Sequence, residues 1–279
     1  VVNTRSSVDP FLTFSTNRAL RQRVWTAFKN RGDNGDANDT NAVIADILRL
    51  RAERAEILGF PTHAHLRMAD TMAQTPERAQ DLMMRVWPAA VARVREEVAD
   101  MQAIADRQGA RITIEPWDYN FYAEQVRRDR YNLDQNEVRQ YFELNNMVNA
   151  AFHMANQLYG LSFREITGTV PVFEPNVRVF EVTDRDGSYQ GLFYLDNFAR
   201  TGKRSGAWMN TYRSHENFMG HEVTPIASNN NNFVRGAPGE PILISLDDAE
   251  TLFHEFGHAI HYLVSTVNYP GLGNTPRDY

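Results

Sequence analysis

Along the first 110 residues apolar positions recur every three to four, the spacing of helices that bury one face. The pattern predicts a helix over 15–29, ended by the turn-rich stretch 31–39, and another over 41–58 closed by Gly59. Thr75 caps Pro76 at the start of a third, which runs toward Gln108 and stops at Gly109. Pro88 inside that run predicts a kink or break near Trp87, because proline removes a backbone donor and crowds the preceding turn.

Beyond Gly109 the period changes. Residues 111–115 alternate like a strand, and 121–130 and 135–159 return to the helical spacing. The clearest β signal covers 169–194, where strands at 177–183 and 189–194 flank the hairpin turn Asp184-Arg185-Asp186-Gly187. A further strand is expected at 223–227 and a short buried one at 241–244. Four asparagines at 229–232 are the only low-complexity feature, and no stretch reads as a linker. The expected fold is mainly α with a small β-sheet, a helical part over 1–110 preceding a mixed α/β part over 111–279.

The last helix is the best defined. Ser245 offers an N-cap with Asp248 as the acidic half of a capping box, and from 246 to about 265 only Gly257 weakens the run. At about 100° per residue, Ala249, Leu252, Phe253, Phe256, Ile260 and Leu263 gather on one side. Asp247, Glu250, Thr251, His254, His258 and His261 form the opposite stripe, so one face packs a core and the other looks onto a polar cleft.

That helix carries the candidate chemistry. His254-Glu255-Phe256-Gly257-His258 is H-E-x-x-H, the helical zinc-binding signature of metallopeptidases. Histidines four apart lie on one face, one turn from each other, and can share one ion. Glu255, between them, is placed to take a proton from a water that the metal activates. The bland alternative is an amphipathic helix with two solvent-facing histidines.

A catalytic zinc needs three protein ligands and one open position. His261 lies on the ligand face, but three ligands over two turns of a straight helix reach one tetrahedral ion poorly, so it is expected to line the cleft. The metzincin pattern needs glycine at position 261 and histidine at 264; this chain has His261 and Val264. The only acid after the motif is Asp278, near the last residue. His215-Glu216 and His221-Glu222 have no helical metal spacing and are expected in a surface loop, and His63 and His65 at the surface.

The motif with Asn274-Thr275-Pro276-Arg277-Asp278-Tyr279 resembles the M3 family of zinc oligopeptidases, most nearly its bacterial peptidyl-dipeptidase branch. The blocks at 31–35, 116–119, 202–209, 228–233 and 244–249 agree, in the family's order. The resemblance implies a zincin-like, neurolysin-like fold and Zn²⁺ held by His254, His258 and a glutamate beyond residue 279. It implies that Glu255 acts as general base on short peptides, releasing dipeptides from the C-terminus, and that the chain is an internal piece of a larger enzyme, nearly inactive alone. Such peptidases often bind substrate as an added strand, because backbone hydrogen bonds hold any sequence in register. The stretch 226–229 is then the candidate edge, with Ala227, Ser228 and Asn229 as substrate contacts; an ordinary strand entering a loop reads equally well.

Composition narrows the classes. With 42% apolar and 11% aromatic residues the chain can bury a substantial core. A net charge of −6 gives no support for nucleic-acid binding, and Arg127, Arg128 and Arg130 are interspersed with acids as on a solvated helix face. No apolar run approaches the roughly 18 residues of a membrane span. The absence of cysteine removes disulfides and thiolate sites and favours a cytoplasmic setting; a monomer is the expected state. Two other readings stay open, a catalytically incomplete two-histidine fragment and a non-catalytic peptide-binding module.

Overall fold

A computed structural model describes residues 3–237, 239–269 and 271–274, and divides them into two compact units that meet at Asn132 and Leu133. The first holds helices α1 (Arg5–Phe14), α2 (Arg18–Lys29), α3 (Asn41–Ile57), α4 (His63–Met68), α5 (Pro76–Arg107) and α6 (Tyr119–Tyr131). The second holds α7 (Gln135–Arg139), α8 (Leu144–Tyr159), β1 (Ser162–Glu165), β2 (Arg178–Thr183) and β3 (Tyr189–Phe198). It continues with β4 (Trp208–Arg213), β5 (Glu216–Phe218), β6 (His221–Val223), β7 (Ile226–Phe233) and α9 (Leu246–Leu263).

In the first unit the expected helices form: the one expected from Ser15 starts at Arg18, while α3 and α5 start where expected, at Asn41 and Pro76. Ser15 closes α1, a helix the sequence pattern does not foretell, and Asn17 caps α2 by accepting a hydrogen bond from Leu20 N at 3.1 Å. Helix α5 runs unbroken through Pro88. Residues 81–90 are all exposed, so water can satisfy the carbonyl that proline leaves without a donor.

The strand expected at 111–115 does not form: the stretch joins no sheet, and Arg111 takes a positive φ of 52°. Gln102 takes the place of a partner strand: its Nε2 donates to Ile112 O at 2.8 Å and its Oε1 accepts from Ile114 N at 3.0 Å. Ile112 and Ile114 pack against Met101, Ile104, Ala105 and Tyr122, which ties α6 to α5 and carries the unit past residue 110. Asp118, fully buried, pairs with Arg21 at 2.7 Å and Arg18 at 2.8 Å. Burial pushes its carboxyl up, but hydrogen bonds from both guanidiniums outweigh that and hold it below the ordinary carboxylate value.

In the second unit the helix expected over 135–159 is split. Leu144 N donates to Ile242 O at 2.8 Å and Ile244 N to Phe142 O at 2.9 Å, so the 241–244 stretch finds its partner in the break between α7 and α8. Five strands form one sheet in the order β1-β2-β3-β7-β4, with β3 and β7 parallel and the other pairs antiparallel. The expected strand 223–227 is two strands, β6 and β7, separated at Thr224 and Pro225, and β7 continues through the asparagines.

Helices α8 and α9 contribute to the same core as the sheet, built on phenylalanines. Phe152 stacks on Phe163 at 4.2 Å and meets Phe180 edge-on at 4.8 Å; Phe256 of α9 meets Phe193 of β3 at 5.5 Å. Such pairs add about 0.5–1.5 kcal/mol each beyond the area they bury. They fix α9 against the sheet.

Candidate metal centre

Helix α9 starts where its sequence says it should. Ser245 Oγ accepts from Asp248 N and Asp248 Oδ2 accepts from Ser245 N, both at 3.1 Å. Ala249, Leu252, Phe256, Ala259, Ile260 and Leu263 are buried, which turns the opposite stripe outward. On that stripe His254 and His261 are exposed and His258 half-buried; Glu255, between the two histidines, is half-buried.

His254 and His258 converge. Their Nε2 atoms lie 3.2 Å apart, with ring centroids 4.8 Å apart and planes at 83°. Two nitrogens each about 2.0–2.1 Å from one tetrahedral zinc would stand about 3.3–3.4 Å apart. The imidazoles therefore fit a shared zinc ion with little movement. Among the described residues no third histidine, cysteine, aspartate or glutamate joins them, so His261 is not part of the cluster. Asp278 lies outside the described residues.

The strand expected to offer an edge does not. β7 is flanked by β3 and β4, and the sheet's edges are β1 and β4. Ala227 and Ser228 have no exposed surface and Asn229 has 1%. Their main chain pairs with Phe193, Tyr194 and Leu195 on one flank and with Met209, Asn210 and Thr211 on the other, leaving nothing for an added strand.

Asparagines are poor strand formers, yet these sit in the strand's interior because each amide has a fixed task. Asn232 Nδ2 donates to Arg204 O at 2.8 Å and to Gly206 O at 2.6 Å. Asn230 Nδ2 donates to Trp208 O at 3.2 Å, and Asn231 Nδ2 to Asn197 Oδ1 at 2.9 Å. With its amide nitrogen turned to α9, Asn229 donates to Glu255 O at 2.9 Å while its oxygen accepts from Phe256 N at 2.7 Å. The run thus ties the loop before β4 on one side and the motif helix on the other.

Lys203 closes the same loop from beneath. Its side chain is 3% exposed, pairs with Asp196 at 2.9 Å and donates to the carbonyls of Asp196 and Phe198 at 2.9 and 3.0 Å. Burial pulls its pKa below the ordinary lysine value, with the bond to Asp196 opposing. The one sequence signal for this network is the asparagine run itself.

Of the other histidines, His215 and His65 have partners within the fold. His215 was expected in a surface loop; its side chain is only 10% exposed, with Nδ1 3.0 Å from Val267 O and Nε2 3.6 Å from Glu222. His63 and His65 are half-buried, and His65 Nδ1 meets its helix-capping Thr62 at 2.8 Å.

Residues 11–279 match the family model described as peptidase family M3. The chain is 42% identical over 273 residues to a dipeptidyl carboxypeptidase of Escherichia coli, which covers 97% of the chain and 40% of that relative. It is 34% identical over 277 residues to an oligopeptidase A of Salmonella typhimurium, covering 96% of the chain and 41% of that relative. A probable cytosolic oligopeptidase A of Arabidopsis thaliana is 33% identical over 263 residues, covering 92% and 37%. The chain spans about two fifths of the length of these relatives.

Proposed function

Because this chain belongs to peptidase family M3, we propose that it is the motif-bearing part of a zinc metallopeptidase acting on short peptides. The convergence of the two Nε2 atoms at 3.2 Å carries this reading. His254 and His258 would hold the ion, with a third protein ligand from outside the described residues. When bound, zinc supplies Lewis-acid activation of a water and of the scissile carbonyl.

Glu255 is the general base. It follows His254 directly and is half-buried at the flank of the ligand stripe, from where its carboxylate would take a proton from the attacking water and return it to the leaving amine. Release of dipeptides from the C-terminus is the proposed specificity, since the relatives named for that activity are 42% and 40% identical against 34% for an oligopeptidase A.

Strand addition remains the proposed way of holding substrate, at a different strand. β4 ends the sheet on the β7 side, and its outer flank is the edge an extended peptide would extend. The loop that precedes β4 is pinned by Lys203 and Asn232, which would hold this edge in place.

Glu255→Gln in the full-length protein tests the reading. Zinc content should be unchanged and peptide turnover should fall by at least about 10²-fold, the lower range for loss of a general base. Turnover at the parent rate would refute the assigned base; peptide binding without turnover in both proteins would favour a non-catalytic binding module.

A further inference from the structure

Asn229 stands out among the buried polar groups. It is 1% exposed and occupies the middle of β7, paired in register with Leu195 and Met209. Its surroundings are apolar: Phe152, Phe193, Leu195, Leu252 and Phe256 line the space beside it. A primary amide in such a place costs free energy unless it is hydrogen-bonded. Its partners are the carbonyl of Glu255 and the N–H of Phe256, at 2.9 and 2.7 Å, the two polar atoms of one peptide group.

That peptide group belongs to the interior of α9, whose amides and carbonyls are already bonded along the helix. The contacts are therefore third centres added to existing bonds. Removing the amide would leave no orphaned backbone group, so an apolar residue of similar shape would serve the core comparably. Stability alone does not explain why a polar side chain stands here.

Position does. The peptide that Asn229 grips starts at Glu255, so it fixes the direction in which that residue's side chain leaves the helix. Phe256, at its other end, is locked among Phe152, Phe163 and Phe193 at 5.5–5.7 Å. We propose that Asn229 is a positioning residue: through the Glu255–Phe256 peptide it holds the Glu255 carboxylate in line with the ion held by His254 and His258. The role rests on Glu255 being the base argued for above, and Asn229 itself touches neither substrate nor metal.

The test compares Asn229→Leu and Asn229→Val with the parent in the full-length, zinc-loaded protein, reading kcat, KM, zinc stoichiometry and thermal unfolding. Leucine keeps the branching and valine suits a strand of limited space, so one of the two folds even if the other is overpacked. The expected result is a fall in kcat of about 10- to 100-fold, the scale of a misplacement near 1 Å, with KM and zinc content unchanged. Unchanged kcat, a lowered melting temperature alone, or activity lost in proportion to zinc would each overturn the proposal. Glu255→Gln run alongside separates the two claims: if that variant keeps full turnover the function reading fails, whatever Asn229 does.

Discussion

His258 Nε2 stands 3.2 Å from His254 Nε2, across one turn of a helix whose opposite side is buried in the core. Neither ring is needed to hold that helix in place, since Phe256, Leu252 and Ile260 do so. Replacing either histidine by alanine should therefore leave helix content and melting temperature near the parent's. Zinc affinity should fall at least about 100-fold, beyond the loss typical of a ligand's supporting groups. Equilibrium zinc titration with circular dichroism on the same samples reads both quantities.

Phe256 is the opposite case. It is 2% exposed and meets Phe152, Phe163 and Phe193 in one aromatic cluster. Phe256→Ala should lower stability by about 3–5 kcal/mol, the cost of emptying a well-packed phenylalanine site. Denaturant unfolding followed by tryptophan fluorescence measures it.

Acid sensitivity should come in part from Asp118. Its carboxyl titrates below its ordinary value of 3.8 because Arg18 and Arg21 favour the charged form more than burial disfavours it. A group with a depressed folded pKa stabilises the fold above its unfolded pKa, and that contribution is lost as pH falls through the folded value. Stability should thus drop as pH falls below about 4. Asp118→Asn should remove this part of the drop and cost about 3–5 kcal/mol at neutral pH, because Arg21, 2% exposed, is left without its partner.

Asn232 holds two carbonyls of the loop before β4, Arg204 O and Gly206 O. Arg204 and Gly206 are exposed, so water can reach the freed carbonyls, and Asn232→Leu should cost about 0.5–1.5 kcal/mol for each hydrogen bond lost. If β4 is the edge that receives peptide, KM should rise more than kcat falls. Steady-state kinetics with a short peptide series checks the ratio.

Much of this was legible in the sequence where the deciding interactions are local. The Ser245–Asp248 capping box, the outward stripe of α9 and the Asp184–Gly187 turn are all set by residues a few positions apart, and each forms where expected. Misreadings cluster where the partner is distant. Residues 111–115 alternate like a strand but are satisfied by one glutamine side chain ten and twelve residues away. Helix 135–159 breaks because the chain near Phe142 and Leu144 pairs with Ile242 and Ile244. The asparagines at 229–232 look like a loop, because strand propensity does not register amides that bond carbonyls from 202–208 and from α9. The same blindness turned an interior strand into a supposed edge.

Anomalous diffraction at the zinc edge, from crystals of the full-length protein grown with zinc, addresses the shared ion directly. A single peak about 2.0–2.1 Å from Nε2 of both His254 and His258, with the Glu255 carboxylate facing it, is the expected result. A peak on one imidazole alone, or both rings bare while zinc sits elsewhere, would contradict it.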